Sequence, residues 1–140
     1  MRDELSAKLG PIFRAHGVQL AYLFGSQATG HAGPLSDFDV GVLFRATLSP
    51  PERFQRRLSL SAELIAMLHT QHIDVVELNE APPAIRFKII KHGQILYSED
   101  ERMRVRFEVK TMNEYFDTKP LRELYRQRLF AAVMAGKLYD

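Results

Sequence analysis

A polar, glycine-rich stretch framed by two apolar runs constrains this chain more than any other feature. Residues 18–24, Val-Gln-Leu-Ala-Tyr-Leu-Phe, have the length and content of a buried strand, and residues 37–44 read as a second. Between them the chain leaves the first run through Gly25-Ser26-Gln27-Ala28-Thr29-Gly30 and enters the next through Ser36-Asp37-Phe38-Asp39-Val40. Four of the eight glycines fall between Gly25 and Gly41, which points to close backbone approaches in this stretch. A strand that stops at Gly25-Ser26 and opens a short helix leaves backbone N–H groups free. With the Ser26 hydroxyl, those groups make a seat for phosphate oxygens. Asp37 and Asp39 stand two apart on a strand, so both side chains leave one face, which continues at Gly41. Phe38, Val40, Val42 and Phe44 supply the opposite, core-packing face. Two adjacent carboxylates repel unless a cation lies between them, and a set made only of oxygens suits Mg²⁺ or Mn²⁺. A pair of such ions about 3.5–4 Å apart stabilises both the attacking and the leaving oxygen of a phosphoryl displacement.

Each half of this constellation has an ordinary explanation. Gly25-Ser26 is also the form of a strand-to-helix turn with a serine cap, and Asp37-x-Asp39 that of an exposed strand entry. Their joint occurrence, each beside a buried strand, favours the chemical reading.

The rest of the chain supplies an α+β framework. Leu5, Leu9, Ile12 and Phe13 share a face of a first helix, which Gly10-Pro11 should kink or restart. Pro50-Pro51 opens a long helix on which Phe54, Leu58, Ala62, Ile65 and Leu68 form one stripe, widened by Leu60, Leu64 and Met67. A third strand covers 73–78. A short helix runs from Pro82-Pro83 to about His92 with Gly93 as its cap, and a fourth strand spans 94–98. From Glu99 the pattern is helical to Gly136, broken near Lys119-Pro120 into a pair. Val105, Val109, Met112 and Phe116 share a face before the break, and Leu121, Leu124, Tyr125, Leu129 and Val133 share one after it. The expected architecture is a small mixed sheet with helices on one side and a C-terminal helical pair. A single domain over 1–140 is expected, with a core at 1–98 and a helical extension at 99–140.

Composition narrows the chemistry. With no cysteine in 140 residues, thiol nucleophiles and cysteine-based metal sites are excluded. Nineteen Lys and Arg against seventeen Asp and Glu leave a net charge of +2, which argues against direct nucleic-acid binding. No apolar run approaches the roughly 18 residues a bilayer demands, and the expectation is a soluble, cytoplasmic protein. His31, His69, His72, Lys88 and Lys91, and the row Arg102, Arg106 and Lys110, are read as solvated groups. Tyr115 and Phe116 are read as packing residues.

Gly25-Ser26, ten intervening residues and Asp37-x-Asp39 resemble the signature of DNA polymerase beta-like nucleotidyltransferases. In particular the chain is similar to the minimal nucleotidyltransferase (MNT) antitoxins that accompany HEPN ribonuclease toxins. Its length fits, as does the ending Arg106-Phe107-Glu108, Glu114-Tyr115-Phe116-Asp117 and Lys119-Pro120. The resemblance implies a third carboxylate on a neighbouring strand, and Asp74 in His72-Ile73-Asp74-Val75-Val76 matches that position. Glu77 falls on the other face of the same strand. The implied reaction is attack of a hydroxyl on the α-phosphate of ATP. Asp37, Asp39 and Asp74 would hold Mg²⁺, two ions with Mn²⁺ as an alternative. Asp74 would also draw off the acceptor proton, and Gly25 and Ser26 would hold the β- and γ-phosphates. The choice of ATP comes from the resemblance alone. The implied function is an antitoxin that adenylylates a tyrosine of its cognate HEPN toxin. The alternatives are a stand-alone transferase acting on a small-molecule or RNA hydroxyl, and an antitoxin that silences its toxin by binding alone.

Overall fold

The computed structural model describes residues 2–25 and 37–136. In chain order they form α1 (Arg2–Ala15), β1 (Val18–Phe24), β2 (Phe38–Phe44), α2 (Pro50–Leu68), β3 (Ile73–Glu77), α3 (Pro83–His92), β4 (Gln94–Ser98) and α4 (Glu101–Met134). The four strands make one mixed sheet in the order β3-β2-β1-β4. β1 runs antiparallel to both β2 and β4, and β2 runs parallel to β3, with α2 as the crossover between that pair.

The α+β class and the mixed sheet are as expected, but the helices cover both faces rather than one. Ala21, Leu23, Val40, Val42, Phe44 and Val75 pack with Leu9, Ile12 and Phe13 of α1 and Leu60 and Leu64 of α2. Leu20, Tyr22 and Leu43 pack on the other side with Leu78, Ile89 of α3, and Met103 and Phe107 of α4. The cause is legible in β1, whose two alternating sets are both apolar, so neither face tolerates water. Gly41 permits the close seating of α3. A Cβ there would stand 3.3 Å from Ile89 and 3.4 Å from Leu78.

The expected C-terminal pair is one continuous 34-residue helix with Pro120 inside it. Proline deletes one N–H from the ladder. Around it the Thr118 hydroxyl donates to the Glu114 and Tyr115 carbonyls, and Arg122 donates to the Tyr115 carbonyl (3.0 Å). Likewise α1 continues through Gly10-Pro11. Pro11 and Ala7, whose carbonyl proline leaves without a helical donor, both lie on its exposed side.

The stripe orientation on α2 also differs from the expectation. Phe54 and Leu58 face outward, while Leu60, Leu64 and the guanidinium-bearing Arg53 are buried. On α4 the face that packs is Met103, Phe107 and Thr111, and Val105, Val109 and Phe116 are exposed. The buried Tyr22 hydroxyl donates to Glu108 (2.7 Å), which also accepts from Arg104 (3.0 Å), fastening α4 to the centre of the sheet. Among the described residues no helix is long and apolar enough to cross a membrane.

Candidate active site

The end of the sheet where β1 stops and β2 and β3 begin gathers the candidate residues. β1 delivers Gly25, whose backbone adopts a left-handed conformation (φ 74°). Phe24 pairs with Asp39 across the antiparallel β1–β2 ladder. This brings Gly25 so close that a Cβ would collide with the Asp39 carboxylate. Only glycine meets both demands, the positive φ and the contact. Ser26, the other half of the expected phosphate seat, lies outside the described residues, as does His31.

In the parallel β2–β3 ladder Asp39 is the register partner of Asp74, and Phe38 that of Ile73. Directly paired residues project to one side of a sheet, so Asp39 and Asp74 share a face. It is the face of Gly41, against which α3 packs. Asp37, just before β2, reaches the His72 ring (3.5 Å), and the Phe38 N–H donates to the His72 carbonyl (2.6 Å), tying the entries of β2 and β3 together. His72, read from sequence as a solvated group, thus stands beside a candidate carboxylate. The side chain remains half exposed, and no pattern in the sequence marks the contact.

Glu77 falls on the opposite face, as its spacing implied, and there it is paired with Arg53. Arg53 also holds Glu80 (2.7 Å) and donates to the Leu48 carbonyl (2.9 Å), anchoring the first turn of α2 to the end of β3. This assigns Glu77 to the scaffold. Sequence reasoning did not anticipate the clasp, because a lone arginine in a helical turn carries no signal of its partner.

The electrostatics are those of crowded anions. The Asp39 carboxyl is pushed above the usual carboxylate range, first by partial burial, then by the charges of Asp74 and Asp37. Among the described residues no three His, Asp or Glu side chains already stand together as a closed metal cage. The donor chemistry nevertheless fits a divalent cation, which suits oxygen-only ligands and relieves the repulsion that raises Asp39. Asp74 also borders an open groove of about 430 Å³ along the free edge of β3, lined in addition by Phe54, Arg57, Glu77 and Glu80.

Residues 7–102 match the family described as "Polymerase beta, Nucleotidyltransferase". The chain is 30% identical over 100 residues to the protein adenylyltransferase MntA of Shewanella oneidensis, covering 70% of this chain and 66% of that protein. In fold it is similar to a solved toxin–antitoxin complex with AMP-PNP, at 26% identity and a TM-score of 0.75. That match spans 89% of this chain and 98% of the other. A second likeness, one of fold alone at 23% identity and a TM-score of 0.68, is to the structure of a tri-AMPylated Shewanella oneidensis HEPN toxin in complex with an MNT antitoxin. It spans 93% of this chain and 99% of the other.

Proposed function

The chain belongs to the polymerase beta nucleotidyltransferase family, and from that premise we propose that it is an antitoxin enzyme that transfers AMP from ATP to a tyrosine of a cognate HEPN ribonuclease toxin, releasing pyrophosphate. One observation carries the chemistry: Asp39 and Asp74 are register partners on one face, with the Gly25 backbone against the Asp39 carboxylate. The similarity to a protein adenylyltransferase and to a toxin–antitoxin complex with AMP-PNP supports a protein acceptor and ATP as the donor.

In this reading the chain is one nucleotidyltransferase domain, with a core at 1–98 and an extension at 99–140, working in the cytoplasm where ATP and the toxin are found. Asp37, Asp39 and Asp74 would hold Mg²⁺, two ions by analogy with two-ion phosphoryl transfer, with Mn²⁺ as the alternative. When bound, the metal supplies charge neutralisation at the phosphates. The left-handed turn at Gly25, with Ser26 following, receives the β- and γ-phosphates on backbone N–H groups. Asp74, on the edge strand and open to the groove beside Phe54 and Arg57, accepts the proton of the incoming hydroxyl. The tyrosine oxygen bonds to the α-phosphorus as the bond to the bridging oxygen breaks, and pyrophosphate departs with the electron pair.

Labelled ATP with Mg²⁺, incubated with and without the purified toxin, tests the proposal. Label should appear on the toxin and vanish with Asp37→Asn or Asp39→Asn. Label on RNA or on a small hydroxylated acceptor without any toxin would replace it with a stand-alone transferase. Full protection of cells by the Asp39→Asn protein would instead make binding alone the antitoxic mechanism.

A further inference from the structure

The second half of α4 repeats, in the open, the pattern by which its first half packs. Met103, Phe107, Thr111, Glu114 and Thr118 form the helix face turned toward the sheet and α3. Met103 and Phe107 pack on the core, and Thr111 is fully buried. The same three- and four-residue spacing continues as Leu121, Tyr125, Leu129 and Ala132. Here nothing among the described residues covers it, for Leu121 is 68% exposed, Tyr125 70% and Leu129 43%. Leu121, Tyr125 and Leu129, with Arg122 and Arg126, line an apolar groove along this overhang. From Lys119 to Met134 the helix extends roughly 24 Å at 1.5 Å per residue. A lone helical arm with such a stripe gains little from being exposed, and its order is more easily explained by a partner.

Charge selects the partner. The overhang carries Lys119, Arg122, Arg126 and Arg128 against Glu123 alone. A second copy would set two such cationic arms side by side, which costs energy, whereas an acidic surface would be attracted. We propose that residues 119–134 of α4 form a docking arm that lies helix-in-groove on an acidic, apolar-floored surface of the protein acceptor, with Leu121, Tyr125 and Leu129 as anchors. This deepens the reading of the chain as a protein adenylyltransferase and rests on it for the identity of the acceptor. The arm projects from the helix that braces the sheet, so docking holds the acceptor to the body that bears Asp74.

The test uses the full chain and the purified toxin, with affinity measured by calorimetry and transfer measured separately. Leu121→Glu/Leu129→Glu should weaken toxin binding about tenfold or more and raise the KM for toxin, with kcat and ATP binding unchanged. Arg126→Glu/Arg128→Glu should weaken binding and flatten its decline with added salt. Val105→Asp/Val109→Asp, on the exposed face of the packed half, should leave binding unchanged. Unaltered affinity in the Leu121/Leu129 variant overturns the proposal, as does dependence on Val105 and Val109 instead, or no binding of toxin by the wild-type chain. A dimer of the chain alone in sedimentation, lost in the Leu121/Leu129 variant, also overturns it in favour of self-association. If toxin binds through Leu121 and Leu129 but receives no AMP, the docking arm stands and the catalytic reading falls.

Discussion

Asp39 is where stability and chemistry oppose each other. Its carboxyl is raised above the ordinary range by burial and by Asp74 and Asp37, so the folded state holds this proton more tightly than the unfolded chain does. The contribution to stability is therefore fully present below the unfolded pKa and is lost as pH rises through the folded one. Asp39→Asn removes the charge, and in chelator at neutral pH it should raise Tm while abolishing transfer. The advantage should fade as pH falls below the ordinary carboxylate range, where Asp39 is protonated in the folded and unfolded chain alike. Thermal melts of the two proteins across pH check this; a variant less stable than wild type at pH 7 would show that the carboxylate is held by favourable contacts. Gly25 is constrained by shape instead. Gly25→Ala forces a side chain into a left-handed turn and against Asp39, so transfer should fall by about 10² while the sheet still forms. Single-turnover rates beside a circular dichroism spectrum separate these effects. The Asp pair and the glycine were legible because each is a local rule of spacing or conformation. The contacts of His72 and Arg53 were not, since both depend on residues brought together only by the crossover from β2 to β3.

At the scale of elements, legibility follows how far each signal depends on neighbours. β1 and β4 were read with the bounds they have, since apolar runs bordered by glycine and polar residues define their own ends. The helices lie where the pattern puts them, but on α2 the widening residues Leu60 and Leu64 are buried while Phe54 and Leu58 are not, and on α4 the packed face is not the one Val105 and Val109 mark. Both carry apolar residues around much of their circumference, and periodicity then leaves two stripes to choose between. On α2 the choice is made by Arg53, whose pairing with Glu77 turns Phe54 outward. On α4 it is made by Tyr22 and Glu108. Pro120 differs from the expectation in another way: proline predicts a break from local sterics, yet the helix runs through it, with the Tyr115 carbonyl one turn back accepting from Thr118 and Arg122. Pro120→Ala restores the missing N–H and should stabilise the second half of α4 by up to about 3 kcal/mol. The readout is slower amide exchange through the helix that follows, with little change in the global Tm because that half stands apart from the core. Unchanged exchange there would mean that the proline costs this helix nothing.

Over the whole molecule, the sheet joins a charged end to a cationic arm through one brace. Gly25, Asp37, Asp39 and Asp74 lie at one end of a sheet whose central strands, β1 and β2, are packed on both faces, so the site's anions rest on a rigid base. The near-neutral total conceals this division: carboxylates gather at the strand entries, and the overhang of α4 carries four cations against one anion. The division also fixes what a donor nucleotide must do to stability. On the proposed reading Mg²⁺ with ATP would bind the folded chain and relieve the repulsion that raises Asp39, while the unfolded chain offers no such gathering of carboxylates. Saturation at about 100 times Kd should therefore add about 2.7 kcal/mol, seen as a rise in Tm. Chelation by EDTA should abolish the rise even with ATP present, because triphosphate alone adds negative charge to an anionic site. Asp37→Asn and Asp39→Asn should each lose most of it, whereas Leu121→Glu/Leu129→Glu, at the far reach of α4, should keep it in full. A rise that survives EDTA would place the nucleotide on the cationic arm and away from the carboxylates.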